Sequence, residues 1–66
     1  MNEIRPWGER IKELRKALDY SVSDLSIAAK IDWSTIHGWE RLPNRRPHRL
    51  LRREVEKLAK RRGVEF

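Results

Sequence analysis

The chain of 66 residues contains no cysteine, and its apolar runs, such as Leu50-Leu51, are only a few residues long. Without cysteine there is no disulfide framework and no thiolate zinc site, and the two histidines, His37 and His48, have no partners at metal-ligand spacing. Apolar runs this short provide neither a transmembrane span nor a secretory signal. We therefore expect one intracellular, soluble domain, residues 1–66 with a core over about 7–62, without metal or membrane.

Glycine and sets of catalytic side chains are also scarce. The three glycines are scattered, so they form no phosphate-binding loop, and no serine, histidine and acid make a plausible nucleophilic set. A chain this short buries only about 60% of its unfolded surface, which leaves little structure around a catalytic pocket. We expect a binding module and not an enzyme, with no cofactor and no small-molecule substrate.

Positive charge is abundant and lies in one half of the chain. Residues 1–33 carry six basic and six acidic side chains, whereas residues 34–66 carry ten basic and four acidic ones, so the second half holds the entire net charge of +6. Six of these basic residues are Arg41, Arg45, Arg46, Arg49, Arg52 and Arg53. The planar guanidinium fork suits phosphate, which predicts an acidic partner. The alternative is a solvated basic face that only maintains solubility.

Apolar periodicity predicts helices and no strands. Apolar side chains at helical spacing indicate a first helix over residues 7–18. Ser21, followed three positions later by Asp24, resembles a capping box and predicts a second helix that ends at residue 29 or 30. No segment shows the alternating pattern of a strand, which indicates an all-α fold.

Two further helices follow. Asp32 is a candidate N-cap for a third helix over residues 33–41. Pro47 suits the start of a fourth helix of about fifteen residues, either continuous or broken near Arg52, with Gly63 as its C-cap. The apolar stripe of the fourth helix consists of Leu50 or Leu51, Val55, Leu58 and Ala59.

Two short helices joined by a tight turn, preceded by a longer helix and followed by basic residues, are the layout of a helix-turn-helix DNA reader. The recognition helix would cover about residues 32–41. Its first residues would meet base edges in the major groove, while nearby arginines would meet phosphates. The arginines expected to hold phosphates are Arg41, Arg45, Arg46 and Arg49.

Three motifs, within roughly residues 7–47, carry a family resemblance. They are Gly8-Glu9-Arg10-Ile11-Lys12-Glu13-Leu14-Arg15-Lys16, Ser21-x-x-x-Leu25 and Ile31-Asp32-x-Ser34-Thr35-Ile36-x-x-Trp39-Glu40-Arg41. Together they resemble the phage repressor and Cro-like (XRE) helix-turn-helix family. The resemblance implies a small, lambda-repressor-like domain of four to five helices. It also implies a cytoplasmic, nucleoid-associated transcriptional regulator that inserts its third helix into the major groove of double-stranded DNA.

The resemblance also implies roles for single residues. Arg15 and Glu40 match the family's ion pair between the first and third helices. The DNA contacts that it implies are Trp33, Ser34 and Gly38 with the flanking His37 at base edges, and Thr35 at a phosphate.

Two positions depart from the family pattern. Val22 stands where the family commonly has a glutamine that binds a phosphate, and its side chain can donate no hydrogen bond. Lys30 stands where the family commonly has a glycine in the turn, so we expect it either to adopt a left-handed conformation, at a cost of about 1 kcal/mol, or to alter the turn.

Two functional alternatives remain open. As a regulator, the chain would bind as two copies on half-sites about one helical turn apart. As a protein-interaction or accessory subunit of a nucleoprotein or mobile-element complex, it would instead expose an apolar patch of Val22, Ile27 and Trp33. Trp33 is expected either to contact a partner or to cover the turn before the third helix.

Overall fold

Four helices make up the fold: α1 (Trp7–Leu18), α2 (Val22–Ala29), α3 (Trp33–Arg41) and α4 (Arg49–Arg61). The computed structural model of the chain describes residues 5–66, and that range contains no strand, which confirms the predicted all-α class. None of these helices has the length and apolar character needed to cross a bilayer. α2 and α3 follow each other across a three-residue turn, in the helix-turn-helix order that the sequence predicts.

Residues in the left-handed conformation end three of the helices. Asp19 has a φ of 57° after α1, Lys30 has a φ of 58° after α2, and Gly63 has a φ of 69° after α4. Each is followed by a backbone bond that closes a Schellman turn. These bonds join Tyr20 N to Arg15 O at 2.8 Å, Ile31 N to Ser26 O at 3.1 Å and Val64 N to Ala59 O at 2.9 Å. Lys30 therefore makes the tight turn without glycine.

The N-caps of α2 and α3 differ. Ser21 Oγ accepts a hydrogen bond from the Asp24 backbone N–H, and the Asp24 carboxylate accepts one from Ser21 N–H, so the predicted capping box is present. Asp32 is the N-cap residue of α3, as the sequence predicts, but its side chain makes no hydrogen bond to the helix backbone. Its carboxylate instead accepts a hydrogen bond from Ser34 Oγ at 2.6 Å.

α4 begins later than the sequence suggests. Pro47 precedes the helix, because His48 is the N-cap and its Nδ1 accepts the backbone N–H of Leu50 at 3.2 Å. The helix is thirteen residues long and continues unbroken through Arg52. Pro47 thus belongs to the α3–α4 loop, residues 42–48, and the alternative of a break in α4 is wrong.

The core is one cluster of buried apolar side chains from all four helices and the α2–α3 turn. Its members are Trp7, Ile11, Leu14, Leu25, Ala29, Ile31, Ile36, Trp39, Val55, Leu58 and Ala59. Leu51 packs against this cluster, whereas Leu50 is exposed. Leu51 is therefore the leucine that belongs to the apolar stripe of α4, a choice that the sequence left open. Burial of this apolar surface is the main stabilising contribution to the fold.

Aromatic rings join the start of α1 to the end of α3 and to the segment after α4. Trp7 packs edge-to-face on Trp39, with ring centroids 5.5 Å apart, and on Phe66 at 5.4 Å. The Arg10 guanidinium lies 4.2 Å from the Phe66 ring centroid and donates a hydrogen bond to the Phe66 carbonyl. Trp7 and Trp39 are therefore packing residues.

A bidentate ion pair joins α1 to α3. Arg15 donates from Nε and Nη2 to the two carboxylate oxygens of Glu40 at 2.6 and 2.7 Å, and from Nη1 to the Tyr20 carbonyl. The hydrogen bond to Glu40 raises the pKa of Arg15, although burial acts in the opposite direction. The predicted contact between Arg15 and Glu40 is present, and it fixes the rotation of α3 against α1.

Gly8 allows the backbone of α1 to approach α3 and the following loop closely. Its N–H donates to the Pro43 carbonyl at 3.0 Å. A Cβ at this position would overlap the Trp39 carbonyl oxygen and would lie 2.6 Å from the Pro43 Cα. Because both obstacles are backbone atoms, a small side-chain adjustment cannot relieve them.

We expect Gly8→Ala to lower the free energy of unfolding by about 2 kcal/mol or more, because the methyl group forces the α1 and α3 backbones apart. Urea denaturation measures the change. The control is Gly38→Ala in α3, where the nearest atom to an added Cβ is a guanidinium nitrogen of Arg45 at 3.8 Å. That variant should be neutral or more stable by up to about 1 kcal/mol, since alanine favours the helix. Equal destabilisation by both changes would contradict the prediction.

We expect Glu40→Ala to cost about 1–3 kcal/mol of folding free energy, because it leaves the half-buried Arg15 without its carboxylate. Glu56→Ala removes an exposed partner of Arg52 in α4 and should change stability by less than about 0.5 kcal/mol. Thermal unfolding of both variants checks the difference. A neutral Glu40→Ala would show that the ion pair does not hold α3 in place.

Candidate nucleic-acid interface

The two sides of α3 differ in burial. Ile36 and Trp39 face the core, and Ile36 has no exposed surface. The other side carries the predicted base-contact residues: Trp33 and Ser34 are exposed, and His37 and Gly38 are half-buried. The helix therefore presents its polar side and its N-terminus to solvent.

Ser34 is oriented by the residue before the helix. Its hydroxyl donates to the Asp32 carboxylate at 2.6 Å, and both residues are exposed. A serine hydroxyl has one proton and two acceptor lone pairs, so donation to Asp32 leaves Ser34 as an acceptor. The pair can thus receive hydrogen bonds from amino groups. In the major groove such groups are adenine N6 and cytosine N4.

Trp33 and His37 form a separate feature on α3. Their rings stack with a centroid separation of 4.6 Å and an interplanar angle of 14°. Trp33 keeps 46% of its surface exposed, so it does not form a buried lid over the turn. The stacked pair offers an apolar surface near the N-terminus of α3, suitable for contact with a thymine methyl group.

The α3–α4 loop is fixed by backbone hydrogen bonds at both sides. Leu42 N–H donates to the Gly38 carbonyl at 3.0 Å, and Arg45 N–H donates to the Leu42 carbonyl at 2.9 Å. The bond from Gly8 to Pro43 ties the same loop to α1. The loop consequently presents Arg45 beside α3, where a terminal guanidinium nitrogen lies 3.8 Å from the Cβ position of Gly38.

One open groove of about 330 Å³ brings the predicted residues of α3 and the loop together. Its lining includes Ser34, Thr35, Gly38, Arg45 and Arg46. Base-contact and phosphate-contact candidates thus share one surface. His48, the N-cap of α4, also lines the groove, although the sequence pattern did not place it among the DNA contacts. Its position after Pro47 and before a basic helix was the available signal.

Four predicted contact residues lie outside this groove. Trp33 and His37 form their own stack, and Arg41 and Arg49 are exposed at the end of α3 and the start of α4. Of the four arginines predicted to bind phosphates, the structure therefore places Arg45 and Arg46 in the groove lining and leaves Arg41 and Arg49 outside it.

The arginines around the groove lack internal neutralisation. Of the six arginines between residues 41 and 53, only Arg52 forms an ion pair with a residue in the range 5–66, through Glu56. Other carboxylates are already engaged: Glu13 with Arg5, Glu40 with Arg15 and Glu54 with Lys57. Unpaired guanidinium groups at the surface leave a positive field beside α3.

The apolar patch of the protein-interaction alternative is smaller than the sequence suggests. Val22 is half-buried and packs against the core, so its assignment to an exposed patch is wrong. Ile27 is 78% exposed on α2, and Trp33 is exposed on α3. Separately, no three His, Cys, Asp or Glu side chains within residues 5–66 are grouped so that they could hold a metal ion.

No protein-family model, curated protein or solved structure gives a significant match to the chain. Its function must therefore be inferred from the residues and geometry described above.

Proposed function

We propose that this protein binds double-stranded DNA as a small helix-turn-helix transcriptional regulator of the phage repressor and Cro-like kind, with α3 in the major groove. The observation that carries the proposal is the groove that Ser34, Thr35 and Gly38 of α3 share with Arg45 and Arg46. Side chains that can meet base edges thus lie beside unpaired guanidinium groups that can meet phosphates.

The dimensions of α3 support this docking. Its nine residues give it a length of about 13 Å. An α-helix with its side chains is about 10–12 Å across, which fits the major groove, about 12 Å wide. The exposed N-terminal turn of α3 carries the Asp32–Ser34 pair and the Trp33–His37 stack. These groups would meet base edges while Thr35, Arg45 and Arg46 bind the backbone.

Size also favours binding as two copies. The chain extends 27 Å along its longest axis, measured over Cα atoms. Two such domains fit side by side on half-sites about 34 Å apart, the spacing of one helical turn. One short recognition helix contacts few bases, and a second copy doubles that number.

Protein interaction is the second candidate function, favoured by the exposed side chain of Ile27. It would make the chain an accessory subunit of a nucleoprotein complex. Because Val22 packs against the core and does not extend the exposed apolar patch, DNA binding is the better-supported proposal.

The double variant Arg45→Gln/Arg46→Gln should weaken binding to all duplexes alike, because it removes two guanidinium groups that neutralise phosphates. The slope of log affinity against log salt should become shallower by about 0.9 for each phosphate that is no longer neutralised, between about 50 and 200 mM salt. Fluorescence anisotropy with labelled duplexes measures both quantities.

The matched control is Arg61→Gln/Arg62→Gln, which removes the same charge from exposed residues at the far end of α4. It should retain most of the salt dependence. If both double variants lose the same affinity and slope, the binding depends on net charge alone and the phosphate contacts are misassigned.

Ser34→Ala should alter sequence preference and leave binding to random DNA nearly unchanged. We expect one base position to lose its preference for adenine or cytosine, by about 1–3 kcal/mol of discrimination, because the acceptor oriented by Asp32 is gone. Selection from random duplexes measures the preference. Ser23→Ala, at an exposed position of α2, should leave that preference intact. An unaltered preference with Ser34→Ala would remove Ser34 from the base contacts.

A further inference from the structure

A second pocket lies behind the α3–α4 loop and shares Arg45 and Arg46 with the groove beside α3. Its volume is about 350 Å³, and the start of α1, the loop and the first turn of α4 form its walls. Five arginines line it, namely Arg5, Arg10, Arg45, Arg46 and Arg52, and none of its nine lining residues carries a carboxylate. Arg5 and Arg52 are paired with Glu13 and Glu56, and Arg10 donates to the Phe66 carbonyl, so the unpaired positive charge of the pocket comes from Arg45 and Arg46.

The wall of this pocket contains a buried donor without an acceptor. Trp7 is 7% exposed, and its indole Nε1 is buried with no hydrogen-bond partner. The Nε of Arg5 is also buried and has no hydrogen-bond partner, although another nitrogen of the same guanidinium pairs with Glu13. An indole N–H can only donate, and a buried polar group without a partner costs about 1–3 kcal/mol. Both donors belong to residues that line the pocket, and an oxygen-rich anion there is the kind of acceptor that they lack.

Helix geometry adds to the attraction for an anion. Pro6 and Trp7 at the start of α1 line the pocket. The N-terminus of a helix carries a partial positive charge. Arg46 makes no side-chain hydrogen bond or ion pair with any other residue of the described range, so its guanidinium is available to a ligand.

We propose that this pocket binds a phosphate group. Guanidinium forks, an indole donor and the N-terminus of α1 together match the negative charge and the acceptor oxygens of a phosphate group. Arg45 and Arg46 line both this pocket and the recognition groove, so a backbone phosphate of bound DNA can reach it. The phosphate of a free small molecule has the same chemistry. Phosphate binding here depends only on the pocket, so it does not require that the chain bind DNA.

The test uses inorganic phosphate and the whole chain. In ¹H–¹⁵N spectra, phosphate titrated against chloride at equal ionic strength should shift the Trp7 indole resonance in a saturable way. Arg52→Gln should weaken this binding about tenfold, since it removes a charged hydrogen bond. Arg53→Gln is the matched control, because Arg53 is the next residue of α4, is exposed and lies outside the pocket. It should change phosphate affinity by less than about twofold.

Duplex DNA then separates the two sources of phosphate. If Arg52→Gln binds duplex DNA more weakly than Arg53→Gln does, and free phosphate competes with the duplex, the pocket binds a phosphate of the DNA backbone. If both variants bind duplex DNA equally well, and Arg52→Gln still weakens the binding of inorganic phosphate, the pocket binds a small phosphate compound. Failure to bind any duplex would remove the proposed function and leave the pocket standing. The pocket proposal is overturned if phosphate acts no differently from chloride, or if the two variants bind phosphate equally.

Discussion

The rest of the structure depends on the close approach of backbone at Gly8. The N–H of Gly8 binds the Pro43 carbonyl, and there is no room for a side chain between α1, the Trp39 carbonyl and the loop. This approach holds the start of α1 against the end of α3. It also fixes the loop that presents Arg45, and so it determines which groups stand beside the polar side of α3.

Packing and one ion pair then set the orientation of α3. Ile36 and Trp39 hold its apolar side in the core, and the bidentate pair of Arg15 with Glu40 fixes its rotation against α1. A short helix of nine residues has little stability of its own, so its position depends on these contacts. The result is a polar side carrying Ser34 that is open to a ligand.

Charge is the reason why we propose an anionic partner for this surface. Carboxylates on α1, α3 and α4 neutralise Arg5, Arg15, Arg52 and Lys57, while the arginines of the loop have no such partner among residues 5–66. Mutual repulsion among unpaired guanidinium groups is relieved when they share anionic oxygens. Both of our proposals therefore name a phosphate group as the ligand, in the groove beside α3 and in the pocket behind the loop, and DNA offers phosphates at regular spacing.

Local chemistry was sufficient to predict the helices, because periodicity and end signals act over a few residues. The sequence by itself determined the all-α class, the capping box at Ser21 and, through a family resemblance, the pairing of Arg15 with Glu40. Only the tertiary structure decided which of the arginines gather beside α3, why Gly8 must lack a side chain, and that Asp32 orients Ser34 instead of capping the helix. These features depend on distances between segments far apart in the chain or on competition between partners for one side chain, and neither is visible in residue spacing.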